Sequence, residues 1–305
     1  MNRTVTLMLL TLGVVCFNAT GEQANKDRNL VELYPSLTSG ALSFATLGEL
    51  PDGVLLKAGE MAVTKAELDD KLEGAEASLR AQFDKNKLFL LEDFATGQLL
   101  LQEAQAAGTG NRSPEASDRE SIQKYIETVV ADVEVTDEEV ARFYEENKDM
   151  CGGATLDQIK DQLESYVLGQ KKQDAVNEHI RTIGQRMDIV LAADWVKDQA
   201  KLALDNPVDK ARGSGKPSLI DFGSTGCRPC DMMAPILETL KTKHEGKLNV
   251  LFIHVQEEQV LASRYGIQSI PVQVFFDKNG KEVFRHTGFY PQEEIEKQLK
   301  EMGVE

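Results

Sequence analysis

An α+β chain of two unlike domains, a mainly helical one followed by an α/β one, is the fold class predicted for these 305 residues. From Thr64 to Met187 apolar residues recur at helical spacing, with only short strand-like runs at either end. From Pro217 onward the rhythm changes to short apolar runs alternating with helical stretches. Charge divides in the same place. Residues 211–305 hold 12 basic and 13 acidic residues, against 22 and 37 in residues 1–210.

Taken in order, Met1-Asn2-Arg3 supplies a positive charge, and Val5 to Phe17 is an apolar run too short to span a bilayer. With small residues at Ala19 and Gly21, residues 1–21 are expected to be a signal peptide, and the location periplasmic or secreted. Cys16 raises lipid attachment, but Gly13-Val14-Val15 fits a lipid-attachment box poorly, so no anchoring is expected. Residues 22–52 are polar and read as a flexible N-terminal segment.

Residues 53–192 form the helical domain. Gly53 to Gly59 reads as a strand with Glu60 to Val63 returning beside it, and Thr64-Lys65-Ala66-Glu67 is a capping box. Leu68, Leu72, Ala75 and Leu79 then follow at helical spacing. Further helices are expected over about 85–107, from Ser113-Pro114 through Tyr125 to Val133, from Thr136 to Asn147, and from Thr155 to Met187. Asp188 to Leu191 closes back as a strand. Residues 193–210 read as a helix and linker, since Asn206-Pro207 and Gly213-Ser214-Gly215 punctuate the chain.

Residues 211–305 form the α/β domain. Its order is a strand over 217–222, a helix over 228–243, a strand over 248–254 and a helix over 257–265. A hairpin turning at Asp277-Lys278-Asn279-Gly280 and a closing helix over 291–302 complete it.

The net charge of −16 excludes a nucleic-acid-coating surface, which must neutralise phosphates, so no nucleic acid is expected among the partners. The chemistry lies in Cys227-Arg228-Pro229-Cys230. A helix N-terminus favours a thiolate through its partial positive charge and free N–H groups, and Cys227 stands at the strand-to-helix junction with Cys230 one turn in. The first thiolate can attack a disulfide and the second can resolve the mixed disulfide. Arg228 favours the Cys227 thiolate and Asp231 opposes it. A closed zinc site needs four ligands; there is no second cysteine pair, and His179, His244, His254 and His286 lack ligand spacing. No metal and no cofactor are expected. Cys151 is left over: it is either a third redox thiol or a small apolar side chain near a helix start.

Residues from about 205 to the end resemble a thioredoxin-family domain. The resemblance rests on Asp221-Phe222, Cys227-Arg228-Pro229-Cys230, Pro235, Tyr265-Gly266-Ile267, Ile270-Pro271 and Asn279-Gly280. It implies that Cys227 attacks, that Cys230 resolves, and that Asp221 is a buried carboxylate handling the proton of Cys230. It also implies that Pro271 is a cis-proline beside the disulfide. From the residues alone Asp221 also reads as a strand-end carboxylate facing water, and Pro271 as a trans edge-strand proline. Gly223 and Gly226 depart from the pattern, standing where thioredoxin carries tryptophans, which implies a less aromatic surface and a looser backbone there.

Residues 53–190 resemble the N-terminal peptide-binding domain of SurA-type, parvulin-linked periplasmic chaperones. The carrying residues are Val54 to Gly59, Thr64 to Leu68, Leu99 to Ala104, and Val135 to Val140 with Phe143-Tyr144. Only Asn147 to Ala154 separates the helices where a parvulin module often lies, so no prolyl isomerase activity is expected. The resemblance implies a cradle for unfolded polypeptide; the apolar pattern alone reads equally as a helical spacer or dimerisation domain. The expected function is an exported thiol–disulfide oxidoreductase of the reductase or isomerase type. Its partners are protein substrates with disulfides or thiols, unfolded polypeptides, and a membrane or soluble thiol electron donor. The alternative is a periplasmic holdase or assembly chaperone whose thioredoxin-like part is mainly structural.

Overall fold

A computed structural model describes residues 28–109 and 117–305. The expected signal peptide, residues 1–21, and the helix opening expected at Ser113-Pro114 lie outside the described residues.

The N-terminal unit begins with a one-turn helix α1 (Leu30–Leu33), where Asn29 and Glu32 cap each other reciprocally. A 3-10 turn (Ala41–Phe44) and strand β1 (Thr46–Gly48) follow. Strands β2 (Val54–Ala58) and β3 (Met61–Thr64) make a hairpin. Six helices come next: α2 (Lys65–Asp70), α3 (Ala77–Lys85), α4 (Lys87–Ala106), α5 (Asp118–Val129), α6 (Asp137–Glu146) and α7 (Leu156–Arg186). Strand β4 (Ile189–Ala192) then enters a sheet of order β1-β4-β2-β3, parallel to β1 and antiparallel to β2. Helix α8 (Ala193–Ala203) closes the unit.

The described part of residues 22–52 is not a flexible segment. Leu30, Leu37, Ala41, Leu42 and Ala45 are all buried in the first core, and β1 pairs with β4. The anchor is a carboxylate far away in sequence. Glu92, buried on α4, accepts from Thr38 Oγ1 (2.6 Å) and from the backbone N–H groups of Gly40 (3.0 Å) and Leu42 (3.2 Å). The carboxylate thereby satisfies free N–H groups at the N-terminus of the 3-10 turn.

Helix boundaries differ as well. The spacing from Leu68 to Leu79 predicts one helix, but α2 stops at Asp70 and α3 starts at Ala77, with Gly74 between them at φ +82°. The helix expected over 85–107 is broken off from α3 at Asn86, whose side-chain amide donates to the Gln82 carbonyl. Leu68, Leu72, Leu88, Leu91, Leu99 and Leu100 are buried in one cluster, so these leucines form core and offer no surface.

The chain then passes directly into the second unit. The stretch after α8 expected as a linker up to residue 210 is structured: Asn206 caps helix α9 (Pro207–Arg212), accepting from the Asp209 N–H, with Pro207 in the first turn. Val208 and Ala211 are buried in the second unit's core, so its boundary lies before residue 207 rather than at 211. Asn-Pro here opens a helix instead of interrupting the chain.

Strand β5 (Ser218–Gly223), helix α10 (Arg228–Lys243), strand β6 (Asn249–His254) and helix α11 (Gln259–Arg264) follow. Strands β7 (Val272–Phe276) and β8 (Glu282–Thr287) and helix α12 (Gln292–Glu301) complete the unit. The sheet order is β6-β5-β7-β8, with β5 parallel to β6 and the other pairs antiparallel. Ile220, Phe222, Val272 and Val274 face one core with α9 and α11, while Leu219, Val250 and Phe275 face another with α10 and α12.

A buried guanidinium joins the units. Arg264 on α11 pairs with Asp209 (3.1 Å), both side chains almost fully buried, and donates across the interface to Asn86 Oδ1 (3.0 Å), Ala203 O (2.9 Å) and Ser36 O (3.1 Å). Gln82 on α3 adds two bonds, donating to Glu257 O (2.9 Å) and accepting from the Val260 N–H (3.1 Å).

Candidate redox site

Strand β5 is buried along its whole length and delivers the chain to the start of α10 through Ser224, Thr225 and Gly226. Gly226 turns at φ +77°, a conformation that a side chain disfavours. Thr225 is held by His254 at the end of β6, whose Nε2 accepts its backbone N–H at 3.3 Å. Cys227 is then the N-cap residue, with extended backbone, and its carbonyl accepts from the Asp231 N–H at 2.9 Å. Pro229, lacking an N–H, sits in the first turn where none is needed.

Cys227 and Cys230 are joined as a disulfide with Cα atoms 5.2 Å apart. Cys227 is half-buried and Cys230 buried, so the outer sulfur is the one an incoming thiol or disulfide meets first. Arg228 and Pro229 are exposed beside it. Cys151 is elsewhere. It ends a 3-10 turn (Lys148–Cys151) in the helical unit, with its Sγ donating to Asn147 O at 3.4 Å, and it is not disulfide-bonded.

Asp221 is fully buried and does not face water. Burial pushes its carboxyl up to about 6, opposed by a hydrogen bond in which Gln273 Nε2 donates to Oδ1 at 2.7 Å. The other oxygen, Oδ2, has no partner among the described residues. Alternate residues of a strand share a face, so Asp221 and Gly223 point the same way. A Cβ placed on Gly223 would lie 3.3 Å from both Cβ and Sγ of Cys230. The unpartnered carboxylate oxygen therefore belongs to the strand face that carries the inner cysteine.

The Ile270–Pro271 bond is cis. Pro271 stands one residue beyond the Phe222–Val272 pair of the β5–β7 ladder, at the end of β5 that leads to Cys227, and its carbonyl accepts from the Gly288 N–H at 2.7 Å.

Two residues escaped the sequence reading. Gln273 is a buried amide inside the apolar run Val272 to Phe276, and a polar residue at a core position of a strand was the available signal. Phe252, in register with Asp221 on the edge strand β6, is 46% exposed, yet its ring edge would lie 2.9 Å from a Cβ at Gly223. Gly223 is thus a site of close approach, and Phe252 supplies aromatic surface beside the disulfide that the sequence does not suggest. Phe252, Leu237 and Val250 line a groove of about 400 Å³ that reaches Cys230.

A family model described as a thioredoxin-like domain matches residues 204–303. Over 84 residues the chain is 42% identical to the thioredoxin of Alicyclobacillus acidocaldarius subsp. acidocaldarius, covering 28% of this chain and 79% of that protein. The chain belongs to the thioredoxin family. A thioredoxin from Staphylococcus aureus is likewise 42% identical, over 77 residues, 25% of this chain and 73% of the relative. A solved mutant thioredoxin from Halobacterium salinarum NRC-1 aligns at 30% identity over 32% of this chain and 83% of its own, with a TM-score of 0.30. Thioredoxin-like proteins act on protein thiols and disulfides, so the chemistry of this domain is, in general terms, thiol–disulfide oxidoreduction. The matched residues begin at 204, so the helical unit stands outside them.

Proposed function

We propose that the protein is an exported thiol–disulfide oxidoreductase that reduces or isomerises protein disulfides, with the helical unit holding unfolded clients near the site. One observation carries the reading: the Cys227–Cys230 pair caps a helix on the strand face that holds a buried carboxylate with one oxygen unpartnered.

In the reduced protein the Cys227 thiolate, favoured by the helix N-terminus and by exposed Arg228, attacks one sulfur of a client disulfide. A mixed disulfide forms and one client thiolate leaves. Asp221, whose burial lifts its carboxyl to about 6, is ionised at neutral pH and takes the proton of Cys230. The Cys230 thiolate then attacks the Cys227 sulfur, closing the internal disulfide and expelling the second client thiolate. Two electrons pass to the client, and a thiol electron donor, membrane-bound or soluble, restores the dithiol. Pro271 presents its backbone beside the disulfide to the client chain.

Residues 1–21 support export through their charged start, short apolar run and small residues near Gly21. The resemblance of the sequence of residues 53–190 to SurA-type peptide-binding domains is the ground for client holding. Insulin reduction by Cys227→Ser and Cys230→Ser variants tests the chemistry: each loses turnover, and Cys230→Ser accumulates a trapped mixed disulfide. Turnover that survives both substitutions removes the reading and leaves a holdase with a structural thioredoxin domain.

A further inference from the structure

Between the two units lies an open cleft of about 990 Å³ whose walls belong to both. One wall is a stripe of α7, Tyr166, Gln170, Gln173 and Asn177, spaced so that all four share one helix face, and all four are exposed. From Tyr166 to Asn177 the helix rises about 16 Å, the length of about five residues of extended chain. The stripe presents amides and a phenol, groups that exchange hydrogen bonds with a peptide backbone irrespective of its side chains.

The opposite wall is the thioredoxin-like domain. Ser269 and Val272 flank the cis-proline, and Thr287 pairs with Val272 across β7 and β8. Val272 in turn pairs with Phe222, and only four residues, a chain length of at most about 18 Å, separate Phe222 from Cys227. The cleft therefore reaches the cis-proline segment, at the end of β5 that leads to Cys227. Its ionisable lining is close to balanced within a chain of net charge −16. Arg212 and Arg264 are taken by Asp209, Arg285 by Glu282, and Glu92 by the turn it anchors, while exposed Asp174 on α7 and Lys281 opposite add one charge of each sign. Such a surface suits an uncharged polypeptide stretch and repels neither sign strongly. Arg264 and Gln82 tie the two units together beside the cleft.

We infer that this cleft binds an extended, largely uncharged segment of a client polypeptide and delivers its cysteine to Cys227. The inference rests on the thiol–disulfide reading of the Cys227–Cys230 pair. Holding about five residues of the client raises the local concentration of its disulfide at the site, so the gain falls on KM for proteins and not on small disulfides.

The test uses the full chain with two substrates, insulin and the small disulfide 5,5′-dithiobis(2-nitrobenzoate). Gln173→Trp and Asn177→Trp, both on the exposed face of α7, fill the cleft. The expected result is a roughly tenfold rise in KM for insulin, with small-disulfide reduction within about twofold of wild type. Equal kinetics for insulin in wild type and both variants overturns the inference while leaving the redox reading intact. Wild-type protein that reduces neither substrate overturns both. In a Cys230→Ser background, a photo-crosslinker at position 173 should join to insulin B chain trapped on Cys227, and its failure to do so also overturns the inference. Self-association of the wild type that either tryptophan abolishes gives the cleft to a second copy of the chain instead.

Discussion

Replacing Asp221 by asparagine should stabilise the folded protein at alkaline pH and leave it almost unchanged in acid. The side chain is fully buried, one oxygen accepts from Gln273, the other has no partner among the described residues, and burial lifts the carboxyl from 3.8 to about 6. Below pH 3.8 both folded and unfolded chains carry the proton, and the carboxyl costs nothing extra. Between 3.8 and about 6 the unfolded chain releases its proton while the folded chain keeps it, so stability falls as pH rises. Above that window the loss levels off. At 1.36 kcal/mol per unit the full loss is about 3 kcal/mol. Asparagine keeps the shape and the Gln273 bond without the charge, so it removes this loss. Urea unfolding of the oxidised full chain, read by circular dichroism, should show the Asp221→Asn midpoint higher by about 1–2 M at pH 8. At pH 3.5 the two midpoints should nearly coincide. A difference independent of pH would refute the view that burial holds this carboxyl protonated.

Gly223→Ala sets a methyl 2.9 Å from the Phe252 ring and 3.3 Å from Cys230 Sγ, and should cost about 1–3 kcal/mol. Adding Phe252→Ala should recover much of that loss, which a double-mutant unfolding cycle measures. Arg264→Leu removes a cation from buried Asp209 and strands acceptors on Ser36, Asn86 and Ala203. It should destabilise the chain by about 3–5 kcal/mol and, in small-angle scattering, let the two units separate. Gly184→Ala on α7 would drive its methyl into the Ala41 backbone, so it should expose residues 28–48 to protease while leaving small-disulfide turnover within about twofold of wild type.

The thioredoxin-like domain was legible because its signals are local. Short apolar runs give β5, β6 and β7, Asp277 to Gly280 marks the hairpin turn, and the cysteines fall at a helix start. What was illegible depends on partners distant in sequence. The apolar residues of the 30–45 stretch follow no period, and the carboxylate that organises them is about fifty positions away at Glu92. Helix α9 is a single capped turn and a half whose burial is decided by a sheet that has not yet begun. At the site, Cys227, Cys230, Asp221 and Pro271 follow from motif, whereas Phe252 matters only because the facing residue is glycine. A missing side chain and the ring beside it are thirty residues apart and carry no joint signature.

The same contrast bears on what the helical unit does. If its leucines formed a client-binding cradle, they would have to be available, but Leu68, Leu88, Leu91 and Leu99 lie at 2% exposure or less. Client holding by this unit must then use what its core leaves outside, and the polar stripe on α7 is such a surface facing the redox domain. A passive spacer, conversely, has no need of a fixed orientation. Here only Leu204 to Asn206 separate α8 from α9, and one guanidinium satisfies acceptors on Ser36, Asn86, Ala203 and Asp209 at once. Burying an arginine is costly unless every donor finds a partner. That cost is met by drawing partners from both units, which fixes the α7 stripe relative to the cis-proline segment. If the cleft holds clients, weakening Arg264 should raise KM for protein disulfides before it touches the chemistry at Cys227.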